Sequence, residues 1–257
     1  ATLFWGKVQE KYPFILNKRP RRIIELLGII ALFIVATPAL NRIVEWNEAM
    51  HLPEALYNIE QWMRQQENAA TKITEQILQV NSFSHFLAVI FGIGILTGIG
   101  EEMIFRGVLQ RIVQDKNHRA HVAVWICAFL FSAIHLQFYG FIPRLLLGAF
   151  FGYLLVWSKN LWLPIFAHLF NNSTVACISY FTNDKSPDNL IETVGTSGSP
   201  TSWLAGASLI GTVILLYVLY KKVFSRNQRN FFRWKIKLRP KYFSRTTGFS
   251  ANSSDVP

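Results

Sequence analysis

Six apolar segments, each close to the length that crosses a bilayer, dominate this sequence. They cover residues 23–44, 83–100, 122–138, 142–157, 161–181 and 203–223. A transmembrane helix needs about 20 apolar residues, and in lipid only helices or closed barrels satisfy every backbone polar group. Charged residues make up only 16% of the chain, against about 25% in an average soluble domain. The sequence therefore predicts an all-α, polytopic membrane bundle of about six to seven transmembrane helices, and it argues against a soluble enzyme.

Charge follows the connections between these segments and predicts the side of the membrane on which each lies. The net charge is +11, and the basic residues concentrate in four places: 7–22, 106–119, 221–245 and a short connection at Lys159. If the spans alternate in direction, all four fall on one side, whereas 45–82 and 183–201 fall on the other. Cytoplasmic loops of membrane proteins carry an excess of Lys and Arg. We therefore place the basic segments in the cytoplasm and expect surface helices within 45–82.

Three regions follow from this arrangement. We assign an N-terminal span and a periplasmic or extracytoplasmic surface-helix region to 1–82, a membrane core to 83–223, and a basic, partly disordered cytoplasmic tail to 224–257. The tail mixes Arg and Lys with aromatic residues, a composition that favours an anionic lipid surface over nucleic acid. We therefore expect membrane lipids, and no nucleic acid, among the partners.

Glycine pairs one helical turn apart predict close helix packing. Gly94 and Gly98 form one such pair, and Gly148 and Gly152 form another. Glycines at this spacing let two helices approach closely in lipid. A single helix over 83–115 would be about 50 Å long, more than one crossing requires. We therefore expect either a break near Gly94 and Gly98 or a long helix that projects from the membrane.

Several ionisable or polar residues lie inside the apolar segments, where they are costly and by default functional. They are Glu101, Glu102, Arg106, His135, Arg144, His168 and Asn172. Glu102 and Arg106 are four residues apart, so they share a helix face and can pair. Glu101 is rotated by about 100° from Glu102 and is freer to face a cavity. A poorly solvated carboxylate gains proton affinity and suits general acid–base chemistry. We interpret Arg144, by contrast, as an interface arginine near the outer turn of its span.

These residues form three motifs in a fixed order. Glu-Glu-Met-Ile-Phe-Arg at 101–106 matches E-E-x-x-x-R, Phe131 to His135 matches F-x-x-x-H, and His168 to Asn172 matches H-x-x-x-N. In this order, on separate apolar segments, they resemble the intramembrane CAAX protease and bacteriocin-processing family (CPBP, or Abi). The resemblance covers about residues 83–181, so that the core 83–223 is expected to be CAAX-protease-like.

The resemblance implies a role for each motif residue. Glu101 would be the base that activates water, and His135 would help hold that water. His168 and Asn172 would form the oxyanion hole, while Glu102 and Arg106 would orient the site through their pair. It implies a membrane-embedded, helical endopeptidase that acts on a peptide or lipidated-protein substrate without a cofactor. We expect an integral protein of a bacterial inner membrane.

Other chemistries remain open from the residues alone. Glu101, His135 and His168 offer two imidazoles and one carboxylate, an open set that suits a hydrolytic zinc ion. The result would be a zinc-dependent intramembrane metalloprotease at the same site. A non-catalytic bacteriocin-immunity or membrane scaffold protein is a second alternative. A transporter that relays protons through buried Glu and His is a third.

Overall fold

Seven helices and no strand make up the part of the chain described by the computed structural model, namely residues 23–117, 119–182 and 193–224. We number them α1 (Ile23–Glu48), α2 (Tyr57–Leu78), α3 (83–117), α4 (Ala120–Ala133), α5 (Phe141–Ser158), α6 (Trp162–Thr182) and α7 (Leu204–Val218). Short 3₁₀ turns at Glu54–Leu56 and Phe138–Gly140 precede α2 and α5. A π-helical turn, Leu219–Phe224, extends α7. The prediction of an all-α bundle is confirmed.

Four of these helices are long and apolar enough to cross a membrane. They span Ile23–Glu48, Phe83–Gln114, Phe138–Ser158 and Leu204–Lys221. Their outward side chains include Ile34 and Ile210, which are 67% and 63% exposed, as expected where lipid replaces water. The remaining two predicted spans differ in kind. Helix α4 has only 14 residues, and the 21 residues of α6 include the polar cluster His168 to Thr174.

One buried apolar cluster of the core lies where α1, α5 and α6 meet the end of α7. Its buried members are Ile29, Phe151, Leu154, Leu163, Ala167 and Leu219. Burial of a large apolar side chain stabilises a protein by about 1.5–3 kcal/mol when the alternative is water. In lipid that gain is small, so close packing and polar contacts between helices carry more of the stability.

Glycines provide these close contacts, as the sequence predicts. A Cβ on Gly98 would lie 3.3 Å from the backbone nitrogen of Leu169 on α6, and one on Gly148 would lie 3.2 Å from Cα of Ala128 on α4. Gly94 and Gly152 instead face side chains, those of Ser173 and Gln110. Each pair therefore brings another backbone close enough for side chains to reach exposed carbonyl groups.

Helix α3 continues through Gly94 and Gly98 as one long helix. The alternative expectation, a break near these glycines, is not met. Instead, α-helical segments alternate with two π-helical segments, Ile90–Leu96 and Met103–Leu109. The six residues between them, Thr97–Glu102, are α-helical and end on the two glutamates. π-Helical turns in α-helices occur frequently at functional sites.

Contacts between connections show which parts of the chain meet at one end of the bundle. The end of α1 reaches the connection before α7, because Asn41 Nδ2 donates to Val194 O at 3.0 Å. The end of α2 meets α6, where Ser179 Oγ donates to Leu78 O at 2.7 Å. The connection between α4 and α5 lies at this end too, since Asn47 contacts Phe138. The predicted basic segment 7–22, the predicted disordered tail from residue 225 onward, and residues 183–192 of the predicted loop 183–201 lie outside the described residues.

Candidate active site

Two adjacent glutamates on α3 point into different surroundings. The side chain of Glu102 is fully buried, whereas that of Glu101 is 25% exposed. Successive residues of a helix differ by about 100° in direction, so one carboxylate can enter the core while its neighbour faces a cavity. The difference in direction is the one expected from the spacing of the E-E-x-x-x-R motif.

Glu102 is the centre of a buried polar network. Its Oε1 accepts from Arg106 Nη1 at 2.8 Å and lies 2.9 Å from His168 Nδ1. Arg106 Nη2 donates to Gly148 O at 2.8 Å, and its guanidinium lies 4.6 Å from the ring centroid of Phe131. Buried charges are tolerated only when they are paired and hydrogen bonded. This network therefore ties α3 to α5 and α6 at one depth.

Both motif histidines present Nε2 to Glu101. His135 Nε2 lies 4.0 Å from Glu101 Oε1, and His168 Nε2 lies 3.8 Å from Glu101 Oε2. Both distances exceed a direct hydrogen bond. The structure thus brings Glu101, His135 and His168, from three different helices or their ends, to one place without pairing them to each other. The zinc alternative named the same three residues.

The partners of Nδ1 assign the protonation of each ring. His168 Nδ1 faces a carboxylate oxygen, which can only accept, so Nδ1 carries a hydrogen. His135 Nδ1 lies 2.7 Å from the carbonyl oxygen of Phe131 and carries a hydrogen for the same reason. In the neutral rings, Nε2 is then an acceptor that faces Glu101. As a donor, either Nε2 requires an imidazolium.

Aromatic rings hold the His168 imidazole. The ring stacks on Phe151 with 5.0 Å between centroids and 17° between planes. Phe131, the first residue of the F-x-x-x-H motif, meets it edge-on at 5.8 Å. The side chain of His168 is only 6% exposed. Its orientation is therefore fixed by packing as well as by Glu102.

Asn172 lies one turn beyond His168 on α6 but makes its contacts elsewhere. Its Nδ2 donates to Ile93 O at 3.2 Å, and its Oδ1 accepts from Asn171 Nδ2 at 3.3 Å. Ile93 belongs to the first π-helical segment of α3, where α-helical backbone pairing is interrupted. Asn172 thus contacts the backbone of α3 beside the site, whereas the side chains of Glu101, His135 and His168 face one another.

Gln110 is a buried member of this framework that the sequence interpretation overlooked. It is 1% exposed, and its Nε2 donates to Gly152 O at 3.2 Å. Gln110 follows Arg106 by four residues, just as Gly152 follows Gly148. Two equivalent hydrogen bonds, from Arg106 to Gly148 O and from Gln110 to Gly152 O, therefore fix α3 against α5. The shared spacing of four was the available signal.

Comparison with known proteins agrees with this geometry. Residues 83–174 match the family described as type II CAAX prenyl endopeptidase Rce1-like. This segment is similar to the Rce1-like family. It contains the three motifs and all six proposed site residues: Glu101, Glu102, Arg106, His135, His168 and Asn172. The resemblance inferred from the motifs is confirmed.

One curated relative of the chain is the uncharacterized protein YpbD of Bacillus subtilis (strain 168). It is 29% identical over 109 residues, which are 41% of this chain and 51% of YpbD. The chain thus spans about half the length of this relative. No solved structure matches the chain.

The match and the fold support a CAAX-type intramembrane protease kind of function, and so a protease. Together they identify an integral membrane protein. The residue roles, the absence of a cofactor and the three regions drawn from the sequence stay predictions.

The metal alternative can be compared with the geometry of the side chains. Both Nε2 atoms are chemically suited to a metal, because their Nδ1 atoms already have acceptors. However, within 23–117, 119–182 and 193–224, no group of three or more His, Cys, Asp or Glu is placed to hold a metal ion. Glu101, His135 and His168 as they stand therefore do not fit the zinc set, and we route no step through a metal.

Proposed function

We propose that this chain is an intramembrane endopeptidase that hydrolyses a peptide bond with water activated by Glu101. One observation carries the proposal: Nε2 of His135 and Nε2 of His168 both face the Glu101 carboxylate, at 4.0 and 3.8 Å. Glu101 is the partly exposed carboxylate of the pair, so it is the one a substrate can approach. No cofactor is part of the proposal.

Water activation is assigned to Glu101 and His135. A water bound between them donates one hydrogen to Glu101 and is held by Nε2 of His135. Glu101 takes the proton as the oxygen attacks the peptide carbonyl, and it later delivers that proton to the leaving amine. A positioned general base contributes about 10²–10⁴-fold to the rate. In total, the reaction consumes one water molecule and breaks one peptide bond.

The oxyanion is assigned to His168 and Asn172. Because Nδ1 of His168 is committed to Glu102, its Nε2 can donate to an oxyanion only as an imidazolium. Asn172 has a second Nδ2 hydrogen beside the one it gives to Ile93 O, and we assign that hydrogen to the same oxyanion. Glu102 and Arg106 act by orienting His168.

The substrate and the orientation are part of the same proposal. We propose a peptide or lipidated-protein substrate in the class named by the family, with the membrane lipids as surroundings and no nucleic acid partner. We place the protein in a bacterial inner membrane, with its basic loops and tail in the cytoplasm. The rule that favours cytoplasmic Lys and Arg supports this orientation.

The test is cleavage in proteoliposomes that hold the full chain. The probe is a farnesylated Cys-aliphatic-aliphatic-X peptide, with its unprenylated form in parallel. Glu101→Gln should lose cleavage by at least about 10²-fold, whereas the exposed Glu75→Gln on α2 should cleave like the unaltered protein. Full activity of Glu101→Gln would overturn the residue assignment. Ion flux without cleavage of either peptide would favour a transporter, and neither activity would favour a scaffold or immunity protein.

A further inference from the structure

The connection between α4 and α5 holds one of the three converging side chains. We call residues 134–140 the His135 loop. Helix α4 ends at Ala133, and the loop continues through Leu136, whose φ of 53° is in the left-handed region that a leucine seldom adopts. A backbone in that region persists only when its surroundings hold it. The contacts that hold the His135 loop therefore decide where His135 lies.

Asn47, at the end of α1, holds the loop from one side with both ends of its amide. Its Nδ2 donates to Phe138 O at 3.1 Å, and its Oδ1 accepts from Ile142 N at 2.8 Å. Asn47 is 3% exposed, so water has little access to its amide. Because the amide donates to one backbone group and accepts from another, it fixes both the position and the orientation of the loop.

Glu67, on α2, holds the loop from a second side. Its Oε2 accepts from Tyr139 N at 2.9 Å. Two neighbours on α2 support this contact: the Trp62 ring lies 5.3 Å from that of Phe138, and the Arg64 guanidinium lies 4.4 Å from the Tyr139 ring. Helix α2 thus lies against the loop along about one and a half turns, from Trp62 to Glu67.

The loop is completed by contacts from its own flanking helices. Arg144 donates to the carbonyl and side-chain oxygens of Gln137, at 3.3 and 2.7 Å. Ser132 Oγ donates to Phe141 O at 2.8 Å. These contacts close the loop locally, whereas the hydrogen bonds of Asn47 and Glu67 join its backbone to α1 and α2. Arg144 therefore has a partner in the loop, beyond the interface role predicted for it.

We propose that Asn47 and Glu67 are positioning residues that hold His135 at the Glu101 carboxylate. The inference rests on the proposed function, and it extends the working site to two residues outside the segment 83–174 that matches the family. Neither residue lies in a motif. Both act through the backbone of the His135 loop rather than on the substrate.

A purely structural role as caps for α5 would have a different signature. A cap stabilises the whole fold, so its loss lowers the melting temperature and leaves kcat of the folded fraction unchanged. A positioning residue changes the geometry of His135, so its loss lowers kcat while KM stays nearly constant. Misplacement of a reacting group by about 1 Å can cost about 10²-fold in rate.

The experiment compares matched variants of the full chain in proteoliposomes. Asn47→Ala should lower kcat for the farnesylated peptide by about 10²-fold with KM within about twofold, whereas Asn41→Ala should not. Asn41 is the control because it is also an asparagine near the end of α1 and donates to a backbone carbonyl, that of Val194. Glu67→Ala should behave as Asn47→Ala, and Glu67→Gln should restore activity because it keeps an acceptor for Tyr139 N.

A second measurement does not depend on activity. Hydrogen exchange at the amides of Tyr139 and Ile142 should accelerate in Glu67→Ala and Asn47→Ala respectively, and the ¹⁵N signals of the His135 ring should shift in both variants. Alanine favours helices, so Glu67→Ala on α2 carries the test if Asn47→Ala fails to fold. Equal kcat losses in Asn47→Ala and Asn41→Ala, or unchanged His135 signals, would overturn the proposal. If the unaltered protein cleaves no peptide, the proposed function fails, and exchange and the His135 signals alone decide whether the two residues position the loop.

Discussion

His168 and Glu102 form a buried pair in which Nδ1 of the imidazole lies 2.9 Å from Oε1 of the carboxylate. The same oxygen accepts from Arg106. One carboxylate therefore holds a histidine of α6 and an arginine of α3 in fixed positions, and leaves Nε2 of the histidine directed at Glu101. The stability of the fold and the direction of a proposed oxyanion donor depend on the same atom.

Replacing Glu102 should destabilise the protein far more than breaking an exposed ion pair. Glu102→Gln removes the charge that compensates the fully buried Arg106, and removal of one partner of a buried pair costs about 3–5 kcal/mol. Arg42→Gln breaks the exposed pair with Glu45 and should cost about 0–1 kcal/mol. Thermal unfolding in detergent measures both. Similar losses in the two variants would show that the buried pair has no special weight.

Asn172→Ala should reduce cleavage by about 10²–10³-fold, the usual effect of removing one oxyanion donor. Expression and melting temperature should change little, since Asn172 is only partly buried. The control is Thr174→Val, two residues along α6, where the hydroxyl donates locally to Phe170 O. Steady-state cleavage of the farnesylated peptide measures both variants. An Asn172→Ala protein as active as Thr174→Val would remove Asn172 from the mechanism.

Cleavage should withstand metal chelation. The proposed chemistry uses Glu101 and water, so prolonged treatment with EDTA and with 1,10-phenanthroline should leave kcat unchanged. Elemental analysis of the active protein should find no stoichiometric zinc. Loss of activity that zinc restores, together with bound zinc that disappears in His168→Ala, would instead establish the metalloprotease alternative.

Glu60, on α2, should make stability depend on acid. Hydrogen bonds from Leu52 N, and then from Arg64, lower the pKa of Glu60 from 4.5 to about 2. A carboxyl group whose pKa is lower in the folded protein stabilises the fold fully at a pH above its ordinary pKa. That stabilisation is lost as the pH falls through the pKa of the folded state. The melting temperature of Glu60→Gln should therefore be lower than that of the unaltered protein at pH 6. The difference should shrink between pH 4.5 and pH 2, where a Glu75→Gln control changes little.

The fold class and the three motifs follow from the sequence because each depends on short-range patterns. Apolar length predicts the membrane helices, and a spacing of four predicts the Glu102–Arg106 pair. The glycine pairs predict the positions on α3 and α5 at which another helix approaches closely, and the structure adds that these helices are α6 and α4. Each of these patterns lies within one helix, so no knowledge of the three-dimensional arrangement is required.

The rest depends on contacts between distant segments. Asn47 and Glu67 occur in ordinary polar contexts, and only the folded chain brings them to the connection after His135. The π-helical segments of α3 could not be predicted either, because a π turn has no characteristic amino-acid composition. The structure thus adds the parts that support the candidate site, whereas the sequence predicts its reactive groups.

The two π-helical segments on either side of Thr97–Glu102 have a consequence for insertions and deletions. A π turn contains one more residue than an α turn along the same path, so each segment stores chain length that an α-helix does not need. Deleting one residue from Ile90–Leu96 should let that stretch relax to α-helix and leave Glu101 and Glu102 in place. Deleting one residue from Thr97–Glu102 instead turns one part of the helix by about 100° relative to the other. The positions of Glu101 and Glu102 should therefore tolerate a one-residue deletion in the flanking π-helical segments. They should not tolerate one within the six residues Thr97–Glu102.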